Sequence, residues 1–124
     1  MGEKIKSFTD LITWQEGHNL VLMIYKIIEN FPRKEKFVII PQMQRCAISI
    51  TSNIAEGFSR KTNKEKLQFY HISLGSLTEL KSQIIIAKDL TYIDEEKFNK
   101  VNEQMEKVQK LLNGLIKSGR ILNT

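Results

Sequence analysis

Residues 47–60 read AISITSNIAEGFSR. Ala47, Ile50, Ile54 and Phe58 recur at spacings of three and four, which makes one apolar stripe on a helix. Asn53 and Glu56 fall on strips beside that stripe, so polar groups stand next to the face that must be buried. Gly57 and Ser59 mark the helix exit. The pattern predicts a helix over about 41–58, with Pro41 in the first turn, where its missing N–H costs nothing.

Upstream, Ser7, Thr9 and Asp10 offer N-caps before an apolar-periodic segment that Pro32 must end. Leu11, Trp14, His18, Val21, Tyr25 and Ile28 form a heptad-like seam, and Leu20, Ile24, Ile27 and Phe31 form a second stripe beside it. One neighbour cannot cover two stripes, so this helix, about 10–31, needs further packing partners. Downstream, Thr62 or Asn63 caps a long helix over about 63–91, with Glu65 complementing its dipole. Its apolar positions are Leu67, Tyr70, Leu74, Leu77, Ile84 and Ala87, widened by Phe69, Ile72, Leu80 and Leu90. Gly75 and Ser76 in its middle predict close approach of another backbone. Asp94 caps a last helix over about 95–118, whose seam is Phe98, Val101, Met105, Val108, Leu112 and Leu115, with Gly119 as its stop and Arg120–Thr124 as a tail. The only period-two run, FVII at 37–40, is too short to pair as a strand. The expectation is a single all-α domain over 1–124, an antiparallel up-and-down four-helix bundle assembled as a cyclic homo-oligomer.

Composition narrows the function classes. The apolar fraction of 41% and charged fraction of 27% are those of an ordinary globular chain, and 124 residues can bury a core without covalent staples. The single cysteine, Cys46, cannot form an intramolecular disulfide, and no Cys/His cluster offers a zinc site. The N-terminal MGEKIKSFTDL lacks an apolar h-region and no 18-residue apolar run follows, so a cytoplasmic location with no membrane partner is expected. The net charge of +5 favours approach to polyanions without specifying one.

Four segments carry a family resemblance: FTDLITWQEGHNLVLMIY, NFP with Glu29 nearby, PQMQRCAISITSNIAEGFSR and FYHISLGSLTELKSQIIIA. Together they resemble the four-helix-bundle proteins encoded in 23S ribosomal-RNA intervening sequences, over about residues 8–92. SNIAEG followed by Arg60, with GSLTEL on the next helix, is the specific part. The resemblance implies a closed pentameric barrel. It also implies a relationship to the accessory proteins of diversity-generating retroelements, which pair such a barrel with a reverse transcriptase and bind nucleic acid. Gln44–Arg45 stands where relatives commonly carry two basic residues, and Pro41 where they often have a Ser or Thr cap.

Catalysis finds little support in the residues. His18 and His71 lie on different helices, and each reads as a buried or boundary imidazole. Glu56 and Glu79 could face each other, but neither has a histidine three residues on, as a carboxylate di-metal site in a bundle requires. No enzyme, cofactor or metal is therefore expected. Asn53, Glu56, Ser76 and Glu79 are expected instead to form a structural polar network fixing the register of two helices, with Arg45 as a counter-charge. The candidate nucleic-acid-binding residues are Arg33, Lys34 and Lys36 after the first helix, Arg45, and Arg60, Lys61, Lys64 and Lys66 around the second turn. Repeated around a ring, such clusters become multivalent toward RNA or DNA phosphates. The nearby aromatics Phe37, Phe58 and Phe69 are read as core, which leaves binding to the backbone alone. The alternative is a protein-binding scaffold whose basic ends merely solubilise it.

Overall fold

A computed structural model describes residues 5–122, with side chains as far as Gly119. It contains α1 (Ile12–Ile28), α2 (Ile39–Ser59), α3 (Asn63–Asp89) and α4 (Glu95–Leu122), with short 3-10 turns at Phe8–Asp10 and Arg33–Glu35. The chain is all-α, and no strand occurs among the described residues.

Caps explain both boundaries of α3 and the start of α4, while α1 and α2 begin without a side-chain cap. The Thr62 hydroxyl accepts from the Glu65 amide at 3.2 Å to begin α3, and Asp94 accepts from the Lys97 amide at 2.8 Å to begin α4. At the exit of α3, Thr91 adopts φ 65°, while the Tyr92 amide donates to Ala87 and the Thr91 amide to Lys88. This is a Schellman closure with threonine where glycine is usual. Ser7 and Asp10 do form a reciprocal capping box, but it closes the Phe8–Asp10 turn rather than α1, which starts at Ile12.

Each helix packs on two others: α2 on α1 and α3, and α4 on α1 and α3. Between α2 and α3, Cys46 meets Glu79, Ser49 meets Ser76 and Ile50 meets Ser73, so numbers rise on one helix as they fall on the other. The shared core is aliphatic. Leu20, Ile50, Ile54, Leu80, Ile84 and Leu112 are all fully buried, each contributing roughly 1.5–3 kcal/mol relative to exposure.

Several expectations are corrected here. On α1 the buried line is Thr13, Gly17, Leu20, Ile24 and Ile28, not the seam through His18 and Tyr25, both of which are exposed. Gly17 is the reason: a Cβ there would lie 3.1 Å from Thr51 Cγ2, so α1 and α2 meet across a missing side chain that hydropathy cannot flag. His18 stacks instead on Trp14, with ring centroids 4.9 Å apart. Gly75 approaches no backbone, since a Cβ there would meet nothing within 4 Å. Gly119 does not stop α4, which continues to Leu122; its Cβ position would lie 2.9 Å from Leu67, so it serves a close contact. Of the expected tail, Asn123 and Thr124 lie outside the described residues.

Candidate nucleic-acid interface

The basic residues lie at the two ends of α2, a helix of 21 residues and hence roughly 30 Å long at 1.5 Å per residue. At its start, Arg33 and Lys34 belong to the 3-10 turn and Lys36 follows it; all three are exposed. The acid among them, Glu35, is turned away, because its carboxylate accepts the Tyr92 hydroxyl at 2.7 Å. The backbone amides of Glu35, Lys36 and Val38 donate to the carbonyls of Pro32, Arg33 and Glu35, and these hydrogen bonds hold the turn closed. Among the described residues, Arg33, Lys34 and Lys36 make no ion pair.

At the other end the four candidates divide. Lys66 Nζ donates to the Phe58 carbonyl at 2.6 Å and to the Gly57 carbonyl at 3.4 Å, which caps the last turn of α2. Burial lowers its pKa from the usual lysine value. Arg60 pairs with Glu56 at 3.7 Å and Glu65 at 4.0 Å, and its guanidinium lies 4.6 Å from the Phe69 ring centroid. Both cations are occupied in holding the α2–α3 turn. Lys61 and Lys64 are exposed and, among the described residues, unpaired. Arg45 is exposed within α2, away from both turns, and forms no ion pair with Glu56 or Glu79.

The polar residues between α2 and α3 form two separate groups. Asn53 Nδ2 donates to the Ser49 carbonyl and hydroxyl at 2.8 and 3.0 Å, and Ser49 shares a 2.8 Å hydrogen bond with Ser76. Farther along, Cys46 Sγ donates to Glu79 at 2.7 Å, and Gln83 donates to Cys46 Sγ at 3.5 Å. Glu56 joins neither group: it bonds Ser59 and Arg60 near the helix end. The helix register sets this, since Glu79 lies opposite Cys46, ten residues before Glu56. Burial, followed by the hydrogen bond to Glu79, pushes the Cys46 thiol up to about 11, away from the thiolate that nucleophilic or metal chemistry needs. No group of three or more metal-ligating side chains occurs among the described residues.

Two structural hydroxyls carry no clear signal in the sequence, and one aromatic lies elsewhere than its hydropathy predicts. Ser49 links Asn53 to Ser76, and its signal was the i, i+4 spacing to Asn53. Ser73, fully buried, donates to the Ile50 carbonyl at 2.8 Å. It occupies the heptad line of Tyr70, Leu77, Leu80 and Ile84, while the expected Leu74 beside it is only partly buried. Phe37, expected in the core, is 85% exposed beside the basic turn.

Comparison with known proteins bears on this architecture. The family described as 23S rRNA-intervening sequence protein matches residues 9–114. The chain belongs to that family. A crystal structure of a protein of unknown function from the S23 ribosomal protein family of Bacteroides thetaiotaomicron VPI-5482 has the same fold, with a TM-score of 0.77 at 23% identity. The similarity covers 86% of this chain and 99% of that one. No curated protein matches the sequence. The family resemblance read from SNIAEG and GSLTEL is thereby shown, and neither the family nor this neighbour indicates a catalytic class. Among the described residues no helix is long and apolar enough to cross a membrane.

Proposed function

We infer that this member of the 23S rRNA-intervening sequence family is a non-catalytic assembly protein that holds RNA or DNA by the phosphate backbone. The observation that carries the reading is the exposure of five cations that are unpaired among the described residues: Arg33, Lys34 and Lys36 before α2, Lys61 after it and Lys64 in the first turn of α3. Tyr92 holds Glu35, and Arg60 pairs with Glu56 and Glu65; Arg33, Lys34 and Lys36 still outnumber Glu35 at one end, and Lys61 and Lys64 add to the Arg60 pairs at the other, so both ends keep a net positive charge.

In this reading the bundle is antiparallel and up-and-down, as the opposed numbering of α2 and α3 supports, and copies of it close into a ring, with a pentamer as the number the resemblance implies. Ile72, Ile86 and Leu90 are each about half exposed. Ile72 and Ile86 fall on one strip of α3 with Gly75 and Glu79, continued by Leu90 at its C-cap, spaced as a second seam that the chain's own helices leave uncovered. Ring closure repeats each basic turn around an axis and converts weak phosphate contacts into multivalent ones. A scaffold that binds only protein would make the basic ends incidental.

Fluorescence-anisotropy titration of the purified protein with structured RNA and with duplex DNA, across a salt series, separates the two. Phosphate binding appears at low salt and falls with a log–log slope near −0.9 per phosphate neutralised on duplex DNA. Charge reversal by Lys61→Glu with Lys64→Glu then abolishes it. Absence of binding to either probe at low salt sinks the reading and leaves the scaffold.

A further inference from the structure

The turn between Pro32 and Ile39 displays an aromatic ring in a place where folding gives no reason for one. Phe37 is 85% exposed, more than any other large apolar side chain described, although Phe31 six residues earlier is buried. Its surroundings are cationic: Lys36 Nζ lies 5.5 Å from the ring centroid, and Arg33 and Lys34 are exposed within four residues. The acid within the turn, Glu35, is held by Tyr92, and the turn is pinned by three backbone hydrogen bonds. The ring is thus carried on an anchored platform.

We propose that Phe37 is a stacking platform for an unpaired nucleobase, with Arg33, Lys34 and Lys36 on the phosphates of the same strand. The proposal rests on the nucleic-acid reading above and adds to it a preference for single strands. Two physical arguments favour this occupant. A base offers an aromatic face that stacks on phenylalanine whatever its identity, while its phosphates need cations close by; an aromatic ring among lysines meets both needs. The centre of a contact between two copies of this chain is instead depleted of charge, whereas Phe37 stands beside Arg33, Lys34 and Lys36. In a duplex the base faces are already covered by their neighbours, so the ring gains nothing there without unstacking them.

The test compares wild type, Phe37→Ala and Phe37→Trp, titrated with a labelled oligothymidylate strand and with a blunt DNA duplex of equal length, alongside sedimentation velocity. Phe37→Ala is expected to weaken strand binding on the order of 5- to 100-fold, the contribution of one stacked base. Duplex binding and the salt slope stay unchanged, because no charge is removed. Phe37→Trp retains strand affinity, and its added indole fluorescence, over the Trp14 background, is quenched by the strand. If wild type binds both probes and Phe37→Ala leaves strand affinity intact, the platform is overturned while the backbone reading stands. A change of sedimentation state in Phe37→Ala overturns it by making Phe37 a subunit contact. Failure of wild type to bind either probe removes both readings together.

Discussion

Tyr92, just beyond the exit of α3, donates its hydroxyl to Glu35 in the α1–α2 connection at 2.7 Å, tying together two turns that are 57 residues apart in sequence. The Tyr92 ring also packs 5.4 Å from that of Phe31, so one side chain anchors the basic turn both by packing and by a charged hydrogen bond. The bond to Glu35 is the main reason the Tyr92 phenol titrates above its usual value, because ionisation would place two negative oxygens together.

Removing that hydroxyl loosens the turn without opening the core. Tyr92→Phe is expected to cost about 1 kcal/mol, read as a fall of about 3–5 °C in Tm by calorimetry. Faster amide exchange at Lys36 and Val38 accompanies it. Unchanged exchange at those amides shows that the backbone bonds alone hold the turn.

Two glycines on neighbouring helices are expected to answer alanine with opposite signs. At Gly57 a Cβ would lie 2.6 and 2.9 Å from the Tyr70 ring and 3.2 Å from the Lys66 carbonyl, so Gly57→Ala destabilises by about 1–3 kcal/mol despite better helix propensity. At Gly75 nothing lies within 4 Å, and Gly75→Ala stabilises by about 0.5–1 kcal/mol. Urea unfolding midpoints decide both. A stabilised Gly57→Ala contradicts the packing described.

Thr91 holds φ 65° at a position where a β-branched side chain crowds the backbone. Thr91→Gly is expected to raise stability by about 1 kcal/mol, since the Schellman hydrogen bonds from Tyr92 and Thr91 are retained while the steric cost is relieved. A lower denaturation midpoint contradicts this account, because the native φ then carries no strain.

Cys46 is expected to resist thiol reagents in the native protein. Its folded pKa of about 11 lies above the ordinary 9.0, so the unfolded chain ionises first as pH rises. The stability contributed by the protonated thiol is therefore whole below pH 9.0 and is lost as pH rises toward about 11. Disulfide-exchange labelling at neutral pH proceeds only as fast as local opening, and Cys46→Ala flattens the alkaline fall in stability. Rapid stoichiometric labelling of folded protein at neutral pH disproves the burial argument.

The proposed ring makes a separable demand on α3. Ile72→Glu with Ile86→Glu changes side chains about half exposed in the single chain, so the substituted chain is expected to remain folded, losing only the stability that assembly contributes. Sedimentation velocity, however, is expected to shift from an oligomer to a monomer. A wild type that sediments as a monomer at high concentration rules out the assembly.

The legibility of the fold varied from helix to helix. On α4 a single seam through Val101, Met105, Val108 and Leu112 admitted only one inward face, and those four are buried. On α1 two stripes competed, and the buried one begins with Thr13 and Gly17, residues with no apolar signal. Asn53 and Ser76 were recognised as polar partners across α2 and α3, but the hydroxyl joining them, Ser49, was not. Glu56 and Glu79 looked like a facing pair until the helix register placed Cys46 opposite Glu79.

What the amino-acid sequence determined by itself is the number and order of helices, the cap at Asp94, a cap at Thr62 or Asn63, the family, and the positive charge of the connections. These follow from local properties: the period of apolar residues, the hydrogen-bonding reach of short side chains and the sum of charges. Tertiary structure alone decided which cations remain outward, because Lys66 and Arg60 are recruited by α2 and α3 while Lys61 and Lys64 are not. It also decided that Phe37 faces water. A side chain's hydropathy measures only its own transfer from water, whereas its burial depends on whether another helix arrives to cover it.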